Sequence, residues 1–224
     1  MRRYTAILCD LDGTLIDSSE DLVQSVQHGF QAIRLAPPAR SQILKNIGKP
    51  LVDFPSLLGY DLAERQRQEF ARYYRAYYSV HCGDHTEPYP GVRETLEQLR
   101  TQGLKLAVVT TKSQDQAEGT VRTIGLARYF DVVRGWLPGQ KLKPDPEPLV
   151  ETLKQLGEPA NSALVVGDSE QDILAAQAAG IECCACLYGY RDPDFMRSLK
   201  PTFLISSFPE LSPIALAEAK PGLA

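Results

Sequence analysis

Histidine and tryptophan are scarce, with three and one residues in 224, and there is no basic excess: 24 lysines and arginines stand against 28 aspartates and glutamates, a net charge of −4. Binding a nucleic-acid backbone needs a concentrated basic surface, so a general nucleic-acid binder is not expected. Long apolar runs are missing too. The first, Tyr4 to Cys9, follows Arg2 and Arg3 and ends in acid; it is too short for a signal peptide or a membrane span. A cytoplasmic protein without a membrane anchor is expected. Cysteine is odd in number, five, and three of the five crowd into Cys183, Cys184 and Cys186 inside an apolar run. No histidine lies near them and no second cysteine pair has zinc spacing, so reduced core thiols are expected and no disulfide framework. Neither an internal repeat nor a low-complexity linker is visible.

What is present is an alternation. Apolar runs of strand length recur at 4–9, 104–109, 130–133, 163–166, 181–187 and 203–205, most of them separated by segments with helical spacing. That rhythm predicts a parallel sheet with helices on both faces. Helices are expected from "YPGV" to Gly103, from Pro146 to Leu156 before Gly157, and from Ser169 to Gly180, bounded by proline, serine and glycine at start and stop positions. Residues 17–85 break the rhythm: no run of β-branched residues appears, and the segment is polar, helical and rich in Tyr and Arg. Within it Phe70, Tyr74, Tyr77, Tyr78 and His81 fall on one helix face, the pattern of a helix packing a small core of its own. Residues 1–16 and 86–224 are therefore expected to form an α/β core, 17–85 an inserted helical unit, and 213–224 a loosely held tail.

Three predicted strands end in polar residues: "AILCDLDGT" with Asp10 and Asp12, "LAVVTTK" with Thr110, Thr111 and Lys112, and "ALVVGDSEQD" with Asp168 and Asp172. Ligands of open α/β sheets bind beyond the carboxyl ends of the strands. Lys143 lies between the last two segments, in "KLKPDPEP", with Pro144 restricting its backbone. If these strands are neighbours, four carboxylates and a lysine converge. Each pair of bare carboxylates about 4 Å apart repels by roughly 4 kcal/mol at an effective dielectric near 20, so a divalent cation is required. All-oxygen ligands without histidine or thiol select a hard ion, and one that keeps room for water and phosphate suits Mg²⁺. Mg²⁺ with Lys143 still leaves four aspartates slightly short of positive charge.

These segments, in this order, resemble the four motifs of the haloacid dehalogenase-like superfamily: "DLDGTL", the strand ending in Thr110, Lys143 before Pro144, and "GDSEQD". "NIGKPLVD", "YRAYY" and "PTFLISSFPEL" resemble its phosphoglycolate phosphatase-like branch. The resemblance spans essentially the whole chain and implies a Rossmann-like core with an inserted α-helical cap of the C1 type. It implies that Asp10 is the nucleophile and Asp12 the general acid and base. Mg²⁺ would be held by Asp10, the backbone carbonyl of Asp12 and Asp168, with Asp172 a ligand through water or an orienter. Thr110 and Thr111 would hold phosphate oxygens, and Lys143 would neutralise charge. An acid two residues after the nucleophile points to phosphate esters, whose leaving group needs a proton. The expected activity is a phosphomonoesterase for a small phosphorylated metabolite, 2-phosphoglycolate first, in a monomer or homodimer. A phosphosugar mutase, a pyrophosphatase, a nucleotidase and a non-catalytic phosphate-ligand binder are the alternatives.

The sequence also departs from the branch. Thr111 stands where relatives often have Asn, and "RGWLPGQ" replaces a more polar loop, with Trp136 expected to pack. Lys141 rivals Lys143 for the phosphate lysine, and Lys112 is expected at the surface or behind the site. Gly13, Gly167 and Gly189 are expected in turns that bring backbone close to ligand. Lys49 in "NIGKPL", with Lys45 second, is the candidate for recognising a substrate carboxylate from the insert.

Overall fold

The alternating runs assemble as the rhythm requires. The structure, a computed structural model, describes residues 3–218. Strands β1 (Ala6–Cys9), β4 (Lys105–Ser113), β5 (Val132–Trp136), β6 (Ala163–Gly167), β7 (Glu182–Cys186) and β8 (Phe203–Ile205) form one parallel sheet in the order β5-β4-β1-β6-β7-β8. Side chains alternate between the faces of a strand, so each strand feeds two cores. Ile7 and Cys9 face helices α5 (Val92–Thr101), α6 (Gln114–Thr123) and α10 (Leu211–Ala215). Ala6 and Leu8 face helices α7 (Glu147–Leu156), α8 (Glu170–Ala179) and α9 (Pro193–Ser198). All five cysteines are free thiols, and Cys183, Cys184 and Cys186 lie buried in β7 between the two cores.

Two strands run further than their apolar stretches. β4 continues through Thr110–Ser113, and β5 occupies Val132–Trp136 where the apolar run marks 130–133. Phe130 closes a 3₁₀ turn over Ala127–Tyr129 instead. β5 is an edge strand with half-buried Arg134 and Trp136, so its polar residues fit where a run of hydrophobic residues would have ended.

The insert leaves and returns at one place. β2 (Ile16–Asp17) and β3 (Glu87–Pro88) pair antiparallel as its two connections. Between them lie α1 (Ser19–Ala32), α2 (Arg40–Leu44), α3 (Phe54–Leu57) and α4 (Glu64–His81). Buried Asp21 in α1 accepts hydrogen bonds from His85 N–H (3.1 Å) and Thr86 Oγ1 (2.6 Å), tying the first turn of the insert to its return. Phe70, Tyr74 and Tyr78 of α4 pack against Leu22, Val26 and Phe30 of α1 in a third core. Tyr77 instead stacks between His28 and His81, and half-exposed His81 reaches Asp84 at 2.7 Å.

The tail expected from residue 213 starts inside α10. Ala215 is fully buried there, and Arg3 N–H donates to Ala217 O at 3.1 Å, so the chain is held at least to 217; residues 219–224 lie outside the described residues. Among the described residues no helix is long and apolar enough to cross a membrane.

Candidate active site

β1 lies between β4 and β6, so the ends of these three strands meet. Asp10 follows β1, Thr110 lies in β4 and Asp168 follows β6. Asp10, Asp168 and Asp172 each offer an oxygen within 4.8 Å of the others, and all three side chains are nearly buried. Lys143 threads between them. Its ammonium donates to Asp10 Oδ1 (2.8 Å), Asp172 Oδ1 (2.5 Å) and the Val109 carbonyl (2.7 Å), so all three of its protons are used. The Lys143–Pro144 peptide is cis. Burial disfavours the Lys143 charge, but Asp10 and Asp172 more than offset it and hold its pKa above the ordinary lysine value. Lys141, the rival lysine, is exposed and pairs with Asp145 (3.0 Å) and Glu147 (3.8 Å).

Glycines make the room. Gly13 has φ +84°, and a Cβ on it would fall 2.2 Å from Asp168 Oδ2. A Cβ on Gly167 would fall 2.2 Å from Asp172 Cγ, and one on Gly189 2.3 Å from Asp168 Cβ. Any side chain at these positions displaces a carboxylate. These glycines admit the acids themselves, where the sequence suggested an approach of backbone to ligand.

Burial pushes the Asp168 carboxyl up to about 8, with Asp10 and Asp172 adding to it, and burial pushes Asp10 up to about 6 against the pull of Lys143. A cluster that takes up protons when left alone, built from oxygen donors only, fits a hard divalent cation. Asp168 Oδ2 accepts from Tyr190 N–H (2.8 Å) and Oδ1 from Thr14 Oγ1 (3.2 Å). Asp172 spends Oδ1 on Lys143 and Oδ2 on the Ser169 N–H (3.1 Å) and Oγ (2.6 Å). Asp172 thus fixes Lys143 and the start of α8 through three hydrogen bonds, whereas Asp168 accepts one bond at each oxygen and Asp10 keeps one oxygen without a hydrogen bond among the described residues.

The four carboxylates do not all converge. Asp12 lies outside the close cluster of the other three and has partners of its own: Oδ1 accepts from Ser18 Oγ (2.5 Å), and Oδ2 pairs with Lys112 Nζ (3.1 Å). Of the two places expected for Lys112, at the surface or behind the site, the structure has the second: it is buried, and its ammonium also donates to Tyr78 Oη (2.8 Å) and lies 4.2 Å from the centre of that ring. With Lys112 counted, a divalent cation and two lysines match the four aspartates, which removes the shortfall of positive charge the sequence suggests. Sequence spacing left both places open because the partner that buries Lys112, Tyr78, comes from the insert, 34 positions away.

Two spaces open here. A narrow niche is lined by Asp10, Asp12, Thr110, Thr111, Asp168 and Tyr190. Beside it, a cavity of about 150 Å³ lies between core and insert and shares Asp12, Thr111, Ile47 and Gly48 with the niche. Half-buried Lys49 lines the cavity and donates to Asn46 Oδ1 (3.2 Å), whereas Lys45 is exposed and lines neither space. Trp136, expected only to pack, lines the cavity as well. Arg191 holds the insert over the site: Nη2 donates to Ile47 O (2.6 Å), Nη1 to Leu44 O (3.3 Å) and Nε to Glu170 Oε2 (2.7 Å). Tyr190 does the same at the connection, its Oη accepting from Ser18 N–H at 2.9 Å.

Comparison with known proteins agrees with this geometry. A family model described as haloacid dehalogenase-like hydrolase matches residues 7–186. The chain is 34% identical over 214 residues to pyrophosphatase PpaX of Halalkalibacterium halodurans, covering 96% of this chain and 98% of that one. It is 35% identical over 204 residues to phosphoglycolate phosphatase of Aquifex aeolicus, covering 89% and 94%. A crystal structure of a predicted phosphoglycolate phosphatase from Haemophilus somnus superposes with a TM-score of 0.88 at 28% identity, covering 96% of this chain and 99% of that one.

Proposed function

The chain belongs to the haloacid dehalogenase-like hydrolases and is a phosphatase of that family, and we propose that it hydrolyses phosphate monoesters of small metabolites with Mg²⁺, through an aspartyl-phosphate on Asp10. The observation that carries this reading is the cluster of Asp10, Asp168, Asp172 and Lys143 at the meeting of three strand ends. Lys143 holds Asp10 Oδ1 and leaves Oδ2 without a hydrogen bond among the described residues. That free oxygen attacks phosphorus while the bond from phosphorus to the ester oxygen breaks. Asp12 stands where niche and cavity meet, beside the departing oxygen; the negative charge that the phosphate brings favours a proton on Asp12, which passes it to that oxygen. Asp12 then takes a proton from water, the water oxygen attacks phosphorus, and Asp10 is released with inorganic phosphate.

Thr110 and Thr111 line the niche, where they meet the phosphoryl oxygens. Asp10, Asp168 and the Asp12 carbonyl would hold Mg²⁺, which would supply neutralising charge to the phosphoryl group when bound. Of the compounds in the relatives' names, 2-phosphoglycolate fits Asp12 better than pyrophosphate, because a departing alkoxide needs a proton and a departing phosphate hardly does.

The test is inorganic phosphate release from an aryl phosphate with Mg²⁺ and with EDTA, together with borohydride trapping of the intermediate. Wild type should release phosphate only with the metal and yield a trapped adduct. Asp10→Asn should do neither, with a loss on the order of 10⁴–10⁶ in turnover. Ordinary turnover by pure Asp10→Asn would sink the covalent route.

A further inference from the structure

The niche and the cavity suit different chemistry. The niche is built around the carboxylates of Asp10, Asp12 and Asp168, whereas the cavity, with Asp12 and Lys112 on its inner side, is walled by Leu22, Val26, Leu51, Phe54, Tyr74 and Trp136, with Lys49 and exposed Arg75 as its outer cations. A two-carbon acid such as glycolate fills little of such a space and leaves its apolar wall facing water. The cavity of about 150 Å³ is of the size that takes up benzene when lined by aliphatic and aromatic side chains. Four of the six wall residues also belong to the insert's own core, but Trp136 reaches the same space from β5 of the main sheet, so the wall is completed across both units. A second observation points to a ligand. Gln116 lines the cavity; its Oε1 accepts from Ser113 Oγ (3.0 Å), and its buried Nε2 has no hydrogen-bond partner among the described residues. A buried donor without a partner is costly, and a ligand acceptor removes that cost.

Resting on the phosphatase reading above, we propose that the preferred substrate is a phosphate monoester whose alcohol has an apolar body of about six carbons and one hydrogen-bond acceptor for Gln116. The phosphate occupies the niche, the ester oxygen lies at Asp12, and the body lies against Leu51 and Trp136 under the insert.

The test is kcat/KM for n-alkyl phosphates from ethyl to hexyl with Mg²⁺, a series that keeps the leaving group's reactivity nearly constant. Each added methylene should raise kcat/KM about three- to fourfold, reaching on the order of 10²-fold at hexyl. Leu51→Ser and Trp136→Ala should each flatten that slope. Among hexyl esters carrying a ketone along the chain, at least one should exceed hexyl phosphate in wild type and lose its advantage in Gln116→Leu. A flat series, or 2-phosphoglycolate turned over better than hexyl phosphate, overturns the apolar-body proposal and leaves the phosphatase intact. No ketone ester above hexyl phosphate overturns the role of Gln116. Failure to hydrolyse any monoester overturns the phosphatase reading instead; calorimetry with n-alkylphosphonates then decides the cavity, where affinity independent of chain length overturns the proposal and affinity rising with length upholds it.

Discussion

The niche at the strand ends and the cavity under the insert share a wall at Asp12, yet they are built in opposite ways. Every charged group of the niche comes from the core, at the end of a strand or in the loop that follows one, and its carboxylates are packed so closely that three glycines are needed to admit them. The cavity takes most of its apolar wall from helices and loops of the insert, with Trp136 and Leu142 from the core, while Asp12, Thr111, Lys112, Ser113 and Gln116 of the core line its other side. One space is built around carboxylates at strand ends, the other is assembled mostly from the insert, and the contact between the two units runs through Arg191, Tyr190 and the Lys112–Tyr78 pair. On the proposed reading, chemistry and selectivity are held by different parts of the chain, so that a substitution in one space should spare the other.

The largest test falls on the shared wall. Asp12→Asn keeps the shape of both spaces but removes the proton donor, so turnover of an alkyl phosphate should fall by about 10²–10⁴. An aryl phosphate, whose leaving group departs with less protonation, should lose much less. Steady-state kinetics on the two ester types measure this, and equal losses would make Asp12 a structural partner of Lys112 and Ser18 rather than an acid.

The same division explains what the sequence made legible. Asp10, Asp168, Asp172 and Lys143 sit at fixed offsets from apolar runs of strand length, and a parallel sheet brings strand ends together whatever lies between them. Even the choice of Lys143 over Lys141 followed from the adjoining proline, and the structure buries the one and exposes the other. For Lys112 the choice between the surface and a place behind the site was not legible, because what buries it is Tyr78 in a helix of another unit. The cavity wall was hidden for the same reason. Leu22, Leu51 and Trp136 meet only after the insert has docked, and periodicity marks Leu22 as a helix face without saying which space that face borders.

A test of the niche alone uses protons and metal. Burial, then Asp10 and Asp172, raise the Asp168 carboxyl from 3.8 to about 8. A carboxyl whose folded pKa lies above its unfolded value stabilises the fold fully below the unfolded pKa and loses that contribution as pH rises toward the folded one. Metal-free protein should therefore lose roughly a few kcal/mol of this stabilisation between about pH 4 and pH 8. Mg²⁺, competing with protons for the same oxygens, should raise Tm more at pH 8 than at pH 5. Thermal denaturation at the two pH values with EDTA or Mg²⁺ checks this, and equal shifts would mean that the ion does not bind at these aspartates.

Arg191 tests the joint between the two spaces. Arg191→Met removes three hydrogen bonds, two of them to the backbone at Leu44 and Ile47. A charged hydrogen bond is worth about 1.5–3 kcal/mol, so kcat/KM for a long alkyl phosphate should fall roughly ten- to a hundredfold, mainly through KM. Single-turnover trapping of the aspartyl-phosphate from an aryl ester at saturation should be little changed. A matching loss in trapping would show that the insert shapes the niche as well as the cavity.

The smallest effect belongs to Lys49, and it separates the cations of the cavity from its apolar wall. Lys49 is half-buried and lines the cavity close to Gly48, which borders both spaces, so its ammonium is the insert's best-placed charge for a substrate carboxylate. In the structure that ammonium donates to Asn46 Oδ1, a contact that also braces the loop. The two roles predict different results. If Lys49 meets the carboxylate, Lys49→Ala should lower kcat/KM for 2-phosphoglycolate about tenfold, the loss of one charge-assisted hydrogen bond, and hardly alter hexyl phosphate. If it braces the loop, both esters should fall together, and Asn46→Ala should reproduce the loss. Measuring the two substrates on the two variants decides between them, and a loss confined to hexyl phosphate would contradict both, because removing a cation leaves the apolar wall in place.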